Sequence, residues 1–260
     1  TITSRSRRTS AKRSRRSTPE AGIVKMNPRA GAHLYEHKLS YFSVPKCACT
    51  SLKHFFFTIE NGFAFRDYQA NGRPMHIHNA VYQSDAFEAY PHKRIADHWK
   101  IAVVRDPLER VLSCFSNRVL HHRELERIEL SEEDRERGLT REPDLTTFVK
   151  NLERYMDIAP TIAHHAGSLT HYLGRDAAYF DRIYSMDELG ALVDEVAARV
   201  GAVPELQSLQ RGGPKFRVSD LALAEQDHLR RLYAEDYDIF GKFLGQPTGD
   251  VVSGRVVGGE

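Results

Sequence analysis

Short apolar runs alternate with amphipathic stretches along the chain, which predicts strands that alternate with helices. Residues 39–44, 101–104 and 180–184 form apolar runs of the length expected for buried strands. Apolar side chains three or four positions apart predict helices over residues 51–60, after Asp106, and over 145–156, 189–200 and 219–238. The pattern is typical of an α/β domain with a mainly parallel sheet flanked by helices.

Two of these predicted helices have clear start signals. Asp106 followed by Pro107 matches the preferred residues for an N-cap and the first helical position. Ser185 with Glu188 three positions later forms a capping box before the helix at 189–200.

The net charge of +2 is unevenly distributed along the 260 residues. Residues 1–18 carry seven basic and no acidic side chains, so the remainder carries a net charge of −5. We expect residues 1–20 to be a disordered basic tail because they have little apolar surface to bury. Residues 247–260, rich in Gly and Val, are expected to be a flexible C-terminal tail, and 21–246 to form a single domain.

Several classes of protein are excluded by composition. A chain of this length buries a core without disulfides or metals, and no run approaches the roughly 20 apolar residues of a membrane span. The three cysteines, Cys47, Cys49 and Cys114, fit neither a disulfide framework nor a paired zinc motif. Free thiols predict a cytoplasmic protein, or one of the Golgi lumen if a membrane anchor lies upstream. No nucleic-acid partner is expected.

Residues 123–142 have a different composition, because thirteen of the twenty are charged and both signs are interleaved. The favoured interpretation is a solvated helical excursion from the domain. The alternative is a mobile segment that borders a cleft.

The first stretch with recognisable chemistry is residues 46–51, between a predicted strand and a predicted helix. Its small side chains let the backbone approach a ligand, and the first amides of the helix favour an anion. Lys46 adds a positive charge, and Thr50 and Ser51 add hydroxyl donors. The pattern predicts a phosphate-binding loop, although it lacks the Walker A sequence. The alternative is an ordinary strand-to-helix turn capped by Thr50.

The second stretch is residues 105–115. Arg105 ends an apolar strand, which is where open α/β sheets bind ligands. Ser113 follows eight residues later, about two helical turns on, so both side chains face roughly the same side. An arginine fork and a hydroxyl there are suited to a second phosphate. A surface arginine and a structural serine are the alternative.

Together the strings PKCACTSLK (45–53) and RDPLERVLSCF (105–115) resemble the sulfotransferases that use 3′-phosphoadenosine-5′-phosphosulfate (PAPS). The likeness is to Golgi-type carbohydrate sulfotransferases and their bacterial relatives, and it extends over roughly residues 39–244. It implies a P-loop-like sulfotransferase fold and transfer of a sulfuryl group from PAPS to a hydroxyl of a carbohydrate acceptor, without a metal.

The resemblance also implies roles for particular residues. It places the 5′-phosphate of PAPS on Lys46, Cys47, Ala48, Cys49, Thr50 and Ser51, and the 3′-phosphate on Arg105 and Ser113. Lys46 is also the candidate for stabilising negative charge on the oxygen that leaves sulfur.

A general base near neutral pH favours a histidine. The H-x-H of His76 and His78 lies between the two motifs and resembles that of uronyl 2-O-sulfotransferases, and His78-Asn79 resembles a pair in bacterial relatives. We predict His78 as the base, with His76 as the alternative, and place His76 and His165 on the acceptor side. Two hydrogen-bonded loop histidines are the alternative; a zinc site would lack further ligands at the usual spacing.

Two other functions are weighed against the sulfotransferase. One is a P-loop-type kinase or NTPase, and the other is a non-catalytic nucleotide-binding interaction module that works through its basic tail. The basic loop at 211–215 is interpreted either as a cover for the 3′-phosphate or as an ordinary surface loop. Trp99 is interpreted as core packing, with a place in the cleft as the alternative.

Overall fold

Four strands form the main sheet of the protein, in the order Ala32–Leu34, Leu39–Phe42, Trp99–Val103 and Arg182–Tyr184. The computed structural model describes residues 28–209 and 212–245, so the predicted tails at 1–20 and 247–260 lie outside the described residues. The strands are β1 (Arg29–Ala30), β2 (Ala32–Leu34), β3 (Leu39–Phe42), β4 (Tyr68–Ala70), β5 (Arg73–Met75), β6 (Tyr82–Gln83), β7 (Trp99–Val103) and β8 (Arg182–Tyr184).

The centre of this sheet is parallel, as the sequence predicts. β3 pairs with β7 so that Tyr41 lies opposite Ile101, and β7 pairs in parallel with β8. Only β2, at the edge, is antiparallel to its neighbour within this sheet. Two further pairs, β1 with β6 and β4 with β5, lie outside it. Since β3 and β7 run in parallel as neighbours, their carboxyl ends meet at one edge.

Eleven α-helices cover much of the described chain. They are α1 (Cys49–Asn61), α2 (Ile77–Ala80), α3 (Pro107–Cys114), α4 (Glu132–Glu136), α5 (Leu145–Lys150), α6 (Leu152–Ile158), α7 (Pro160–Ala166), α8 (Leu169–Leu173), α9 (Leu189–Val200), α10 (Leu223–Leu232) and α11 (Ala234–Phe240). A π-helical stretch, Phe115–His121, continues α3. The capping box at Ser185 is present before α9, as predicted.

Two stretches predicted as single helices are each broken in two. Residues 145–156 divide at Asn151, whose side-chain amide donates to the carbonyl of Thr147 (3.0 Å) and competes for a helix acceptor. Residues 219–238 divide at Tyr233, whose hydroxyl donates to the carbonyl of Ala166 (2.6 Å). Apolar periodicity does not reveal either break.

Buried apolar side chains form two clusters. The first surrounds the sheet and includes residues of β3, β7, α1 and α9, such as Tyr41, Phe42 and Ile101. The second lies among α3, α5, α6, α7 and α10. The charged segment 123–142 joins the second cluster through Leu125, Leu130 and Leu139, so it is only partly the solvated excursion that its composition predicts.

The second motif enters its helix through a well-anchored N-cap. A carboxylate oxygen of Asp106 accepts hydrogen bonds from the amides of Leu108 (2.8 Å) and Glu109 (3.4 Å) at the start of α3. The same carboxylate accepts from the hydroxyl of Tyr237 in α11 (3.0 Å). Asp106 therefore caps α3 and connects its start to α11.

Asp106→Ala is expected to lower the free energy of unfolding by about 2 kcal/mol, because the helix loses its cap and Tyr237 loses its acceptor. Urea denaturation measures this. The matched control is Asp157→Ala at an exposed carboxylate on α6, expected to change stability by less than about 0.5 kcal/mol. Equal stability of the two variants would contradict the capping role.

Candidate active site

Both motifs lie at the carboxyl edge of the parallel sheet. The loop that carries Lys46 follows β3, and Arg105 follows β7, the strand beside it. Lys46 and Arg105 are 59 residues apart in sequence, and the parallel pairing of β3 with β7 brings the two segments together. The predicted convergence of the two motifs follows from the sheet.

The turn between β3 and α1 has an unusual backbone. Lys46 (φ 67°) and Ala48 (φ 52°) both adopt left-handed conformations that residues with side chains seldom occupy. Ala48 is the N-cap of α1, and no side chain caps the first turn. Capping by Thr50, the alternative considered from the sequence, is therefore wrong. The uncapped first-turn amides at Cys49, Thr50 and Ser51 suit an anion.

Lys46 is partly buried and reaches the second motif. Its Nζ donates to Oδ1 of Asn117 (3.0 Å) in the π-helical stretch. Burial lowers the pKa of Lys46, and the nearby charges of Arg118 and Arg105 lower it further. Sequence reasoning did not identify Asn117; its position four residues after Ser113, on the same helix face, was the available signal.

Arg105 precedes α3 and pairs with a residue of its first turn. Nε of Arg105 donates to Oε2 of Glu109 (2.9 Å), and Ser113 and Asn117 follow on the same face. The pair with Glu109 uses the Nε edge of the guanidinium, which leaves the Nη groups for a further partner. Arg105 therefore lies immediately before α3, Ser113 lies in its last turn, and Asn117, which contacts Lys46, lies in the π-helical stretch that follows.

A fully buried arginine connects the second motif to the loop of the first. Arg110, in α3, donates from Nε to the carbonyl of Pro45 (3.3 Å) and from Nη2 to the carbonyl of Gly167 (2.7 Å). Arg110 thereby fixes the loop before Lys46 against both α3 and the turn that begins α8. Arg110 lies within the string RDPLERVLSCF, but nothing in its sequence position indicates this role.

His78 lies beside the first motif. Its Nε2 is 2.9 Å from Oγ1 of Thr50, and its Nδ1 is 3.0 Å from Nζ of Lys53. Burial lowers the pKa of His78 to about 2, and the charges of Lys53 and His76 act in the same direction. His78 is therefore a neutral imidazole at physiological pH, with both nitrogens engaged.

The other two predicted histidines differ in their surroundings. His76 is exposed at the start of α2, with its ring centroid 5.7 Å from that of His78. His165 is partly buried on α7, and its Nδ1 bonds to the carbonyl of Thr161 (2.7 Å). Burial lowers the pKa of His165 to about 2, followed by the charge of Arg118. The charge of His165 contributes to the lowered pKa of His78.

The three cysteines are free thiols, as predicted. Cys47 and Cys114 are buried, and burial raises the pKa of Cys47 to about 11 and that of Cys114 to about 12. Such thiols are poor nucleophiles at neutral pH. Their small size lets the loop and α3 pack closely.

Residues 209 and 214, on either side of the undescribed positions 210 and 211, contact the first motif and the helix that continues the second. The amide of Leu209 donates to Oγ of Ser51 (3.0 Å), and the carbonyl of Pro214 accepts from Oγ of Ser116 (2.5 Å). Gly213 is left-handed (φ 87°), and a Cβ there would clash with Ser116. Arg211, part of the predicted cover for the 3′-phosphate, lies outside the described residues; Lys215 is exposed.

Trp99 lies at the start of β7, far along the strand from Arg105, with the guanidinium of Arg199 4.0 Å from its ring centroid. It packs at the opposite edge of the sheet from the motifs. Within residues 28–209 and 212–245, no cluster of three or more His, Cys, Asp or Glu is arranged to hold a metal ion. The described helices include none that is long and apolar enough to cross a membrane.

Comparison with known proteins agrees with this geometry. A sequence model of the sulfotransferase family matches residues 35–243, which include both motifs and nearly all of the described fold. The chain therefore belongs to the sulfotransferase family. Its mixed α/β structure is compatible with the sulfotransferase fold.

A curated relative carries the comparison further. Over 87 residues the chain is 30% identical to human carbohydrate sulfotransferase 9, an alignment that covers 33% of this chain and 19% of that protein. The chain thus matches only about a fifth of the relative's length. No solved structure matches it significantly.

Alkylation tests the packing of the cysteines. In the native protein at pH 7.5, iodoacetamide should modify Cys49, which is partly exposed, while Cys47 and Cys114 react at least about 100-fold more slowly than in the urea-unfolded chain. Burial keeps the reagent away from these two thiols and disfavours their reactive thiolate form. Peptide mass spectrometry measures each site; rapid native labelling of Cys114 would contradict the packing described.

Proposed function

We propose that this chain transfers a sulfuryl group from PAPS to a hydroxyl of a carbohydrate acceptor. The observation that carries the proposal is that Lys46 and the uncapped start of α1 follow one parallel strand, while Arg105 follows the neighbouring strand, so that both lie at the carboxyl end of the sheet. Membership of the sulfotransferase family supports the reaction class, and the match to a carbohydrate sulfotransferase supports the acceptor class.

The donor set suits a molecule with two separated phosphate groups. The start of α1, a P-loop-like element in this proposal, offers amides and the hydroxyls of Thr50 and Ser51 to the 5′-phosphosulfate. Arg105 and Ser113 offer a guanidinium and a hydroxyl to the 3′-phosphate. Cys47, a buried small residue, keeps the loop close to α3.

The transfer is an in-line displacement at sulfur. A bond forms between the acceptor oxygen and sulfur while the bond from sulfur to the bridging oxygen breaks, so adenosine 3′,5′-bisphosphate leaves. Negative charge grows on the bridging oxygen, and an ammonium aimed there stabilises the transition state more than the ground state. Lys46 fills this role in the proposal, moving from Asn117 to the bridging oxygen.

The acceptor hydroxyl gives up its proton to His78. In this proposal the acceptor replaces Thr50 at Nε2, and Thr50 turns its hydroxyl to the sulfuryl group. His76 and His165 flank this position and contact the acceptor, while His165 keeps Nδ1 on the carbonyl of Thr161.

The rival functions make different binding predictions. A P-loop kinase or NTPase would be stabilised by ATP with Mg²⁺, whereas the sulfotransferase is stabilised by adenosine 3′,5′-bisphosphate. An interaction module that works through its basic tail would lose its function on removal of residues 1–18. Labelled sulfate transfer from PAPS to a panel of glycans, with simple alcohols and phenols as controls, measures the activity of the full and truncated chains.

Arg105→Ala should weaken the binding of adenosine 3′,5′-bisphosphate about 10- to 100-fold, since the substitution removes charge-assisted hydrogen bonds worth about 1.5–3 kcal/mol. Adenosine 5′-monophosphate lacks the 3′-phosphate, so its affinity should change less than threefold. Calorimetry with both ligands measures the difference. Lys93→Ala, at an exposed lysine, is the matched control; an equal loss for both nucleotides would contradict the assignment.

His78→Gln should reduce sulfate transfer about 10²- to 10⁴-fold while the affinity for adenosine 3′,5′-bisphosphate stays within threefold, because the base acts on the acceptor. Turnover on the best acceptor of the glycan panel and calorimetry give the two values. Near-wild-type turnover would exclude His78 as the base, and a large loss of affinity would assign it to nucleotide binding.

A further inference from the structure

A line of hydrogen-bonded polar side chains runs from the first motif into the core. Oγ1 of Thr50 bonds to Nε2 of His78 (2.9 Å), and Nδ1 of His78 bonds to Nζ of Lys53 (3.0 Å). Lys53 also donates to Oγ of Ser84 (3.0 Å), which bonds to Oγ of Ser43 (2.5 Å). Thr50 and Lys53 share a face of α1, while His78 and Ser84 come from the segment around β6.

Lys53 is an unusual member of this line. Its side chain is completely buried, and the two partners that it contacts, His78 and Ser84, are neutral side chains rather than carboxylates. A buried ammonium without a counter-ion is costly, which favours the neutral amine. Lys53 ends the string PKCACTSLK, but it is neither one of the predicted phosphate-binding residues nor the predicted base.

The protonation of Lys53 decides which nitrogen of His78 carries hydrogen. A charged ammonium only donates, so it requires a lone pair on Nδ1 and leaves the hydrogen of the neutral ring on Nε2. A neutral amine has a lone pair that can accept from Nδ1, and the lone pair of the ring then lies on Nε2. Only the second arrangement presents a base at the Nε2 end of the ring.

We propose that Lys53 is a positioning residue that sets the tautomer of His78 and receives the proton that His78 takes from the acceptor. This rests on the proposed function. The acceptor proton moves to Nε2 as the oxygen bonds to sulfur, and the hydrogen on Nδ1 moves to the amine of Lys53. The step ends with a neutral ring protonated on Nε2 and a lysine ammonium, which later releases its proton to solvent.

The electrostatic surroundings support this division of labour. Burial lowers the pKa of Lys53 to about 8, against which Cys49 acts weakly. The pKa of His78, about 2, makes the ring alone a weak base near neutral pH. Besides Lys53, the titratable groups that face His78 are His76, His164 and His165, from the start of α2 and from α7. The transition near pH 8 therefore belongs to Lys53.

Nitrogen-15 spectra of histidine-labelled full-length protein read the tautomer directly. The signals of His78 are assigned by their loss in His78→Gln. From pH 6 to pH 9 the ring should remain neutral, with its hydrogen on Nε2 at the acid end and on Nδ1 at the alkaline end, and with a midpoint near pH 8. PAPS and acceptor are not needed, so a missing sulfate-transfer activity does not affect this result.

Two variants distinguish a role of Lys53 in setting the tautomer of His78 from a role in core packing alone. Lys53→Met keeps the volume of the side chain and should abolish the transition between pH 6 and 9. Ser84→Ala removes an acceptor of the ammonium, which should move the midpoint to lower pH. Lys150→Met, at an exposed lysine of α5, should match the wild type.

A ring that keeps its hydrogen on one nitrogen from pH 6 to 9 in the wild type would overturn the proposal, as would a transition that persists in folded Lys53→Met. If Lys53→Met does not fold, the wild type and Ser84→Ala decide. If the hydrogen of His78 does not change nitrogen with pH, the proposed sulfuryl transfer still stands, with His78 acting without Lys53. If the hydrogen does change nitrogen but no sulfate is transferred, only the proposed function is overturned.

Discussion

The parallel pairing of β3 with β7 is the constraint on which the candidate site depends. Neighbouring parallel strands end at the same edge of a sheet, so the residues after Phe42 and after Val103 must meet there. The buried guanidinium of Arg110 strengthens this arrangement by bonding to Pro45 and Gly167. Arg110 therefore connects the loop of the first motif, the helix of the second and the turn before α8.

Positive charge is concentrated at the candidate site, although the residues after 18 carry a net negative charge. Lys46, Arg105 and Arg118 lie close enough for their charges to act on one another or on the nearby histidines. Burial keeps His78 and His165 neutral; the charge of Lys53 acts in the same direction on His78, and the charges of Arg118 and Lys46 do so on His165. A polyanionic nucleotide would relieve this concentration of charge, which is why the net charge of a chain says little about its ligand.

Features with local signals could be predicted from the sequence, whereas those set by distant contacts could not. Asp106 and the order of strands and helices are evident from capping residues and short-range periodicity. The break at Tyr233 depends on a carbonyl 67 residues away, and the contact of Lys46 with Asn117 spans 71 residues. Lys53 lay inside the first motif, but its role becomes visible only when folding brings His78 beside it.

A crystal structure with adenosine 3′,5′-bisphosphate would test most directly whether the two motifs form one nucleotide site. The account predicts the 5′-phosphate within hydrogen-bonding distance of the amides of Cys49 to Ser51, and the 3′-phosphate on Arg105 and Ser113. Lys46 should then leave Asn117 and turn to the 5′-phosphate. A bisphosphate bound elsewhere, or bound with its 3′-phosphate away from Arg105, would contradict the account.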